Sequence, residues 1–228
     1  MAVPSTIRSF WWLIHKDLRR ELRAHYVWPS MLLLGVVLVG LLAIQIDLPL
    51  ELKGRIGGGL LWMAIAFSGT LAFDRSFAGE RDGGCWQVLV LYPAAPSVLF
   101  LAKMAVNLVA LIVLELALVP LFVVMTDVPL LARPGPIALI GALGSIGFAA
   151  IGTLVSVITA DLRHRGSLVA LLLLPLVMPV VLACAETTSL VLAEEFDWRW
   201  WRWIQLLGIF AAVFTALGVL AFEVVTEE

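Results

Sequence analysis

Six runs of apolar residues, each about long enough to cross a bilayer, divide the chain at 27–46, 56–73, 98–126, 136–160, 167–185 and 203–222. Spanning roughly 30 Å of hydrocarbon takes about 20 helical residues at about 1.5 Å each. A helix satisfies its own backbone polar groups, which lipid cannot do for it. The other membrane fold, a β-barrel, needs strands of about ten residues with alternating polarity, and the sequence has no such pattern. It therefore predicts an all-α integral membrane protein with six transmembrane helices. Only 14% of residues are charged and 62% are hydrophobic, against about 25% charged in a soluble domain. The predicted organisation is an interfacial segment over 1–26, a six-helix domain over 27–222 and a tail over 223–228.

Basic residues in short loops set orientation. Arg8, Lys16, Arg19, Arg20, Arg23, Arg75, Arg81, Lys103, Arg163 and Arg165 fall on one side. Lys53, Arg55, Arg133, Arg199 and Arg202 fall on the other. The bias predicts both termini in the cytoplasm. The charged first 26 residues have no apolar core for cleavage, so the N-terminus is expected to be retained. Nothing in the charge pattern points to nucleic acid.

Between residues 5 and 26, Ile7, Phe10, Trp11, Ile14, Leu18 and Leu22 fall within about a third of a helical circle. Arg8, Lys16, Arg19, Arg20 and Arg23 face away, and Asp17 and Glu21 break the pattern at one edge. This is the composition of an amphipathic helix lying in the interface against anionic headgroups. It serves either as a membrane anchor or as a lever from a cytosolic partner to the first span. Pro29 suits the first turn of the next helix.

The stretch GERDGGCWQVLVLYPAAP, residues 79–96, lies between the second and third spans. Asp82 can cap a helix, and Gly83 and Gly84 suit a turn. Cys85 to Tyr92, including Trp86, Val88, Leu89 and Leu91, gives two mostly apolar helical turns, which Pro93 and Pro96 end. This predicts a short cytoplasmic helix, too short to span. Such a surface must be covered. Either the ends of neighbouring spans cover it, or it docks in a groove on a cytosolic protein, as a helix-in-groove element.

Asp82-Gly83, the apolar run to Leu91, Pro93 and Pro96, then Leu101-Ala102-Lys103 resemble the CcmB family. So do Arg165-Gly166, Leu174-Pro175-Leu176 and Pro179 in the fifth span. These proteins are membrane subunits of the ABC complex for cytochrome c maturation. The resemblance implies an ABC-2-like permease bundle in a bacterial inner membrane. It implies as partners a CcmA-like ATPase, a CcmC-like heme-handling subunit, a small CcmD-like subunit and a second copy of the chain. Heme and ATP would be handled by the complex, with no cofactor held by this chain. Segment 79–96 would be the coupling element, carried by Asp82, Gly83, Trp86, Val88, Leu89, Leu91, Pro93 and Pro96. The chain departs from the family pattern at Gly84-Cys85-Trp86 and at Tyr92.

The phosphate-cradling string GxxxxGK[ST] is absent, so hydrolysis must come from another chain. Gly57-Gly58-Gly59 reads as close helix packing. In the fourth span Gly141, Gly144, Ser145, Gly147, Ala149 and Gly152 form a small-residue seam, within one chain or between two. Pro120, Pro175 and Pro179 favour kinks, static or hinged. Glu115 is an acid near the middle of a span, which must be neutral, paired or facing water. Lys103 is expected to reach back to the headgroups. Trp198, Trp200, Trp201 and Trp203, interleaved with Arg199 and Arg202, read as an outer interfacial belt or as a surface for a planar aromatic ligand or partner. Residues 186–196 read as a short outer loop. His15, His25 and His164 have no ligand spacing, and Cys85 and Cys184 form no CxxC, so neither metal nor catalytic residues are predicted. Besides heme-linked export, the residues allow an ABC-2-type permease for a lipid or drug, an intramembrane enzyme using Glu115, or a scaffold.

Overall fold

The apolar runs form helices because nothing inside them competes with helical backbone bonding in lipid. The computed structural model describes residues 6–24, 27–45, 50–75, 95–159 and 165–227. Among them are seven α-helices and no strand. They are α1 (Thr6–Ala24), α2 (Val27–Gln45), α3 (Leu50–Arg75), α4 (Pro96–Thr126), α5 (Pro134–Thr159), α6 (Arg165–Leu192) and α7 (Trp198–Glu227), with a 3-10 turn at Leu130–Ala132. Helices α2 to α7 are long and apolar enough to cross a membrane. The predicted helical membrane bundle is thus the observed architecture.

Local chemistry sets the helix ends. Pro96 opens α4 after Ala95, whose backbone is extended at φ −58°, ψ 140°; proline needs no N–H partner there. Asp127 ends α4 in the left-handed region at φ 59°, and its N–H bonds the Val123 carbonyl at 3.0 Å. The Asp197 carboxylate caps α7 by accepting the N–H groups of Arg199 and Trp200 at 3.0 and 3.3 Å.

Contacts fix the topology. Asn107 meets Thr153 and Glu115 meets Ser145, so α4 and α5 run antiparallel in register. Trp62 meets Thr188, pairing α3 with α6. Phe100 meets Phe222, pairing the start of α4 with the end of α7. Helix α4 is central, touching α1, α2, α3, α5 and α7. Phe73, Phe100, Leu111, Leu114, Leu118 and Phe122 are fully buried around it.

The small residues Gly141, Gly144, Ser145, Gly147, Ala149 and Gly152 are all buried inside this one chain, so the seam is intramolecular. Pro120 lies within α4 and Pro175 and Pro179 within α6. The expected loop at 186–196 is corrected: α6 continues to Leu192. Its polar residues find partners within the helix and bundle. Thr187 donates to the Ala183 carbonyl at 2.5 Å, and Thr188 accepts the Trp62 indole N–H at 3.0 Å.

Helix α1 docks mainly on α4. The face that packs is not the apolar stripe alone. Ser9, Leu13 and Asp17 are buried, while Trp11 and Leu22 are 64% and 53% exposed.

Candidate functional site

Of the residues assigned to the coupling segment, Asp82, Gly83, Trp86, Val88, Leu89, Leu91 and Pro93 lie outside the described residues. Pro96 is the first residue of α4. The walls on either side of the segment are well defined.

On the preceding side, α3 ends in a buried anchor. The Phe73 ring stacks on Phe148 with centroids 5.7 Å apart. It lies so close to Gly152 that any added Cβ there would overlap it. The Ser156 hydroxyl bridges the helices, lying 2.6 Å from the Phe73 carbonyl and 2.7 Å from the Gly152 carbonyl. An aromatic wedge and a hydroxyl bridge therefore fix the last turns of α3 to α5.

On the following side, α4 begins with a second anchor. Phe100 is fully buried, 6.4 Å from Phe222, and fills the space left by Gly218 on α7. One turn on, Lys103 Nζ lies 2.9 Å from Asp17 Oδ2, with side chains only 8% and 7% exposed. The expectation that Lys103 reaches the headgroups is thereby corrected. The acid of α1 lies closer than the lipid surface, and a buried ammonium is stable only when paired. Lys16 adds a contact to Asp17 Oδ1 at 3.3 Å. One further turn along α4, the Asn107 amide donates to Thr153 Oγ1 at 2.8 Å.

The sequence reading named Lys103 and Asp17 but missed that they pair. Asp17 looked like an interruption of an apolar stripe, and its partner lies far away in the chain. The usable signal was the pair of polar residues Lys103 and Asn107, one helical turn apart near the start of a mostly apolar helix.

Glu115 lies twelve residues beyond Lys103, about 18 Å along the helix axis. Ser145 donates to its Oε1 at 2.5 Å. Gly141 makes the room: a Cβ there would lie 2.8 Å from Oε2. Next to it Cys184 Sγ and the Trp62 ring pack against Gly144. Residues from α3, α4, α5 and α6 thus meet around one carboxyl with one hydroxyl donor. Among the described residues, no group of three or more His, Cys, Asp or Glu side chains is placed to hold a metal ion.

The tryptophan run occupies the first turns of α7, at the end of the bundle away from α1. Trp198 and Trp201 are exposed, Trp203 is half-buried, and Trp200 is buried. The Trp200 ring meets Phe196 and Trp201 edge-on, at 5.5 and 5.0 Å. Arg202 lies 3.7 Å over the Trp198 ring. Arg133 pairs with Glu194 at 2.9 Å and covers Phe196 at 5.1 Å. Cation–π contacts hold these guanidiniums against the aromatic surface. Trp200 is therefore a packing residue, whereas Trp198 and Trp201 face outward.

A family model described as CcmB protein matches residues 8–227. Heme exporter protein B of Rhodobacter capsulatus is 27% identical over 175 residues, covering 76% of this chain and 79% of that protein. Heme exporter protein B of Pseudomonas aeruginosa is 26% identical over 171 residues, covering 75% of this chain and 76% of that one. Heme exporter protein B of Paracoccus denitrificans is 31% identical over 133 residues, covering 58% and 60%. With the match running from the first turn of α1 to the last residue of α7, around a bundle of six membrane-length helices, the chain belongs to the CcmB family.

Proposed function

We propose that this chain is the membrane subunit of a heme-export complex and that a separate ATPase subunit moves it through segment 79–96. Three relatives that carry the name heme exporter protein B support the substrate class. The absence of a phosphate-binding loop in the sequence assigns hydrolysis to a partner. The segment, the ends of α3 and α7 and the starts of α4 and α6 then lie at the cytoplasmic face, with both termini.

The observation that carries this reading is the pair of anchors flanking the segment. A load on residues 79–96 enters α3 through Phe73 and α4 through Phe100 and Lys103. Wedged rings and buried polar bonds pass it to α5, α7 and α1 without slack, because packed interiors transmit displacement. The Asn107–Thr153 and Glu115–Ser145 bonds keep α4 and α5 moving together toward the opposite end. There the exposed tryptophans and Arg202 present a surface suited to a planar anionic ligand or to the subunit that carries it. The outcome is transfer of heme, or release of a heme-loaded chaperone, for cytochrome c maturation. The partners on this reading are a CcmA-like ATPase, a CcmC-like heme-handling subunit and a CcmD-like small subunit.

Deleting the chain tests the heme reading. Mature c-type cytochromes should disappear, while normal levels would refute it and favour a permease for another substrate. Pulldown of the chain from native membranes tests the motor reading. An ABC ATPase should co-purify, and its absence would refute that part alone.

A further inference from the structure

Docking rolls α1 into an orientation that separates its charges by sign. Viewed down the axis at about 100° per residue, Ser9, Leu13 and Asp17 face the bundle and are buried. Next around the circle come Trp11, Leu18 and Leu22, of which Trp11 and Leu22 are exposed. Beyond them lie Arg8, Trp12, Arg19 and Arg23, all exposed; Arg20, also exposed, falls outside this strip. The two acids of α1 are drawn away from this surface. Asp17 is buried against Lys103 and Lys16, and Glu21 is half-buried with one carboxylate oxygen enclosed. The sequence of α1 is of mixed sign, but its fully exposed charges are all arginines.

We propose that this face of α1 is a binding strip for anionic phospholipid headgroups of the leaflet on which it lies. Trp11 and Leu22 enter the acyl boundary beside the bundle. The arginines meet phosphates one sector higher, the geometry of an interfacial helix. Guanidinium forks match phosphate oxygens in pairs. The Lys103–Asp17 pair has a second role here: it holds the roll angle that keeps a carboxylate out of the headgroup layer.

The inference does not depend on what the bundle transports. Its test is native mass spectrometry of the full chain after exchange into an equimolar mixture of phosphatidylglycerol and phosphatidylcholine. Wild type should retain phosphatidylglycerol preferentially. The triple variant Arg8→Gln/Arg19→Gln/Arg23→Gln should lower the retained ratio about tenfold. The matching triple Arg→Lys variant should keep most of it, which separates charge from misfolding. Replacing Arg133 by Gln, at the other end of the bundle where it is paired with Glu194, should leave the ratio within about twofold of wild type. No preference in wild type, an unchanged ratio in the triple Gln variant, loss in the Lys variant, or an equal loss in the Arg133 variant would each overturn the proposal.

Discussion

Lys103 and Asp17, at the scale of single residues, form a buried ion pair that is costly to desolvate. Each charge gives up water and is compensated by the other at 2.9 Å, with Lys16 adding a longer contact to Asp17. Replacing Lys103 by Met should leave the buried Asp17 carboxylate with only the longer Lys16 contact among its described ion pairs and lower stability by about 3–5 kcal/mol. The double variant Asp17→Leu/Lys103→Met should recover most of that loss, since an apolar pair can replace a buried ion pair. Thermal unfolding in detergent checks both. Glu115 behaves differently, because what it supplies in the fold is an acceptor for Ser145. Glu115→Gln keeps that acceptor and should change stability by less than about 1 kcal/mol. Gly141→Val pushes a side chain onto Oε2 and should cost about 1–3 kcal/mol. Melting temperatures that rank these two in the opposite order would contradict the geometry. Glu115 was legible in the sequence because one acid in a 31-residue apolar helix stands out. Asp17 was not, because its meaning lies in a contact between residues far apart in the chain. Local periodicity carries no information about such a contact.

At the scale of elements, sequence and structure agree where free energy is dominated by transfer into lipid. The six runs became six helices in the expected order because hydropathy alone makes each one stable. Ends were less legible, since they depend on single hydrogen bonds. The run Glu186-Thr187-Thr188 reads as a loop by polarity, yet Thr187 bonds within its helix and Thr188 receives Trp62. The start of α7 five residues before the apolar run follows from the cap at Asp197. The fit between elements leads to a further prediction. Phe100 fills the gap at Gly218, so Gly218→Leu should separate α4 from α7 and destabilise the bundle by about 1–3 kcal/mol. Asn107→Ala removes the polar link from α4 to Thr153 on α5 and should cost about 0.5–2 kcal/mol. If both substitutions leave thermal unfolding unchanged, the two helices are not clamped as described.

At the scale of the whole molecule, the sequence lacks the phosphate-cradling string GxxxxGK[ST], and at one end the bundle carries two rigid anchors that flank segment 79–96 along the chain. Those features make sense together if the chain is driven from outside. The short helix expected over 79–96 lies outside the described residues, apart from Pro96 at the start of α4. The anchors were not legible in the sequence, because wedges such as Phe73 against Gly152 join residues from different helices. The central claim is that residues 79–96 are the grip for a separate ATPase. The most direct test replaces Val88, Leu89 and Leu91 together by Asp and measures ATPase co-purification from membranes in which the variant is fully inserted. The account predicts normal insertion with loss of the ATPase; undiminished recovery of the ATPase with this variant would contradict it.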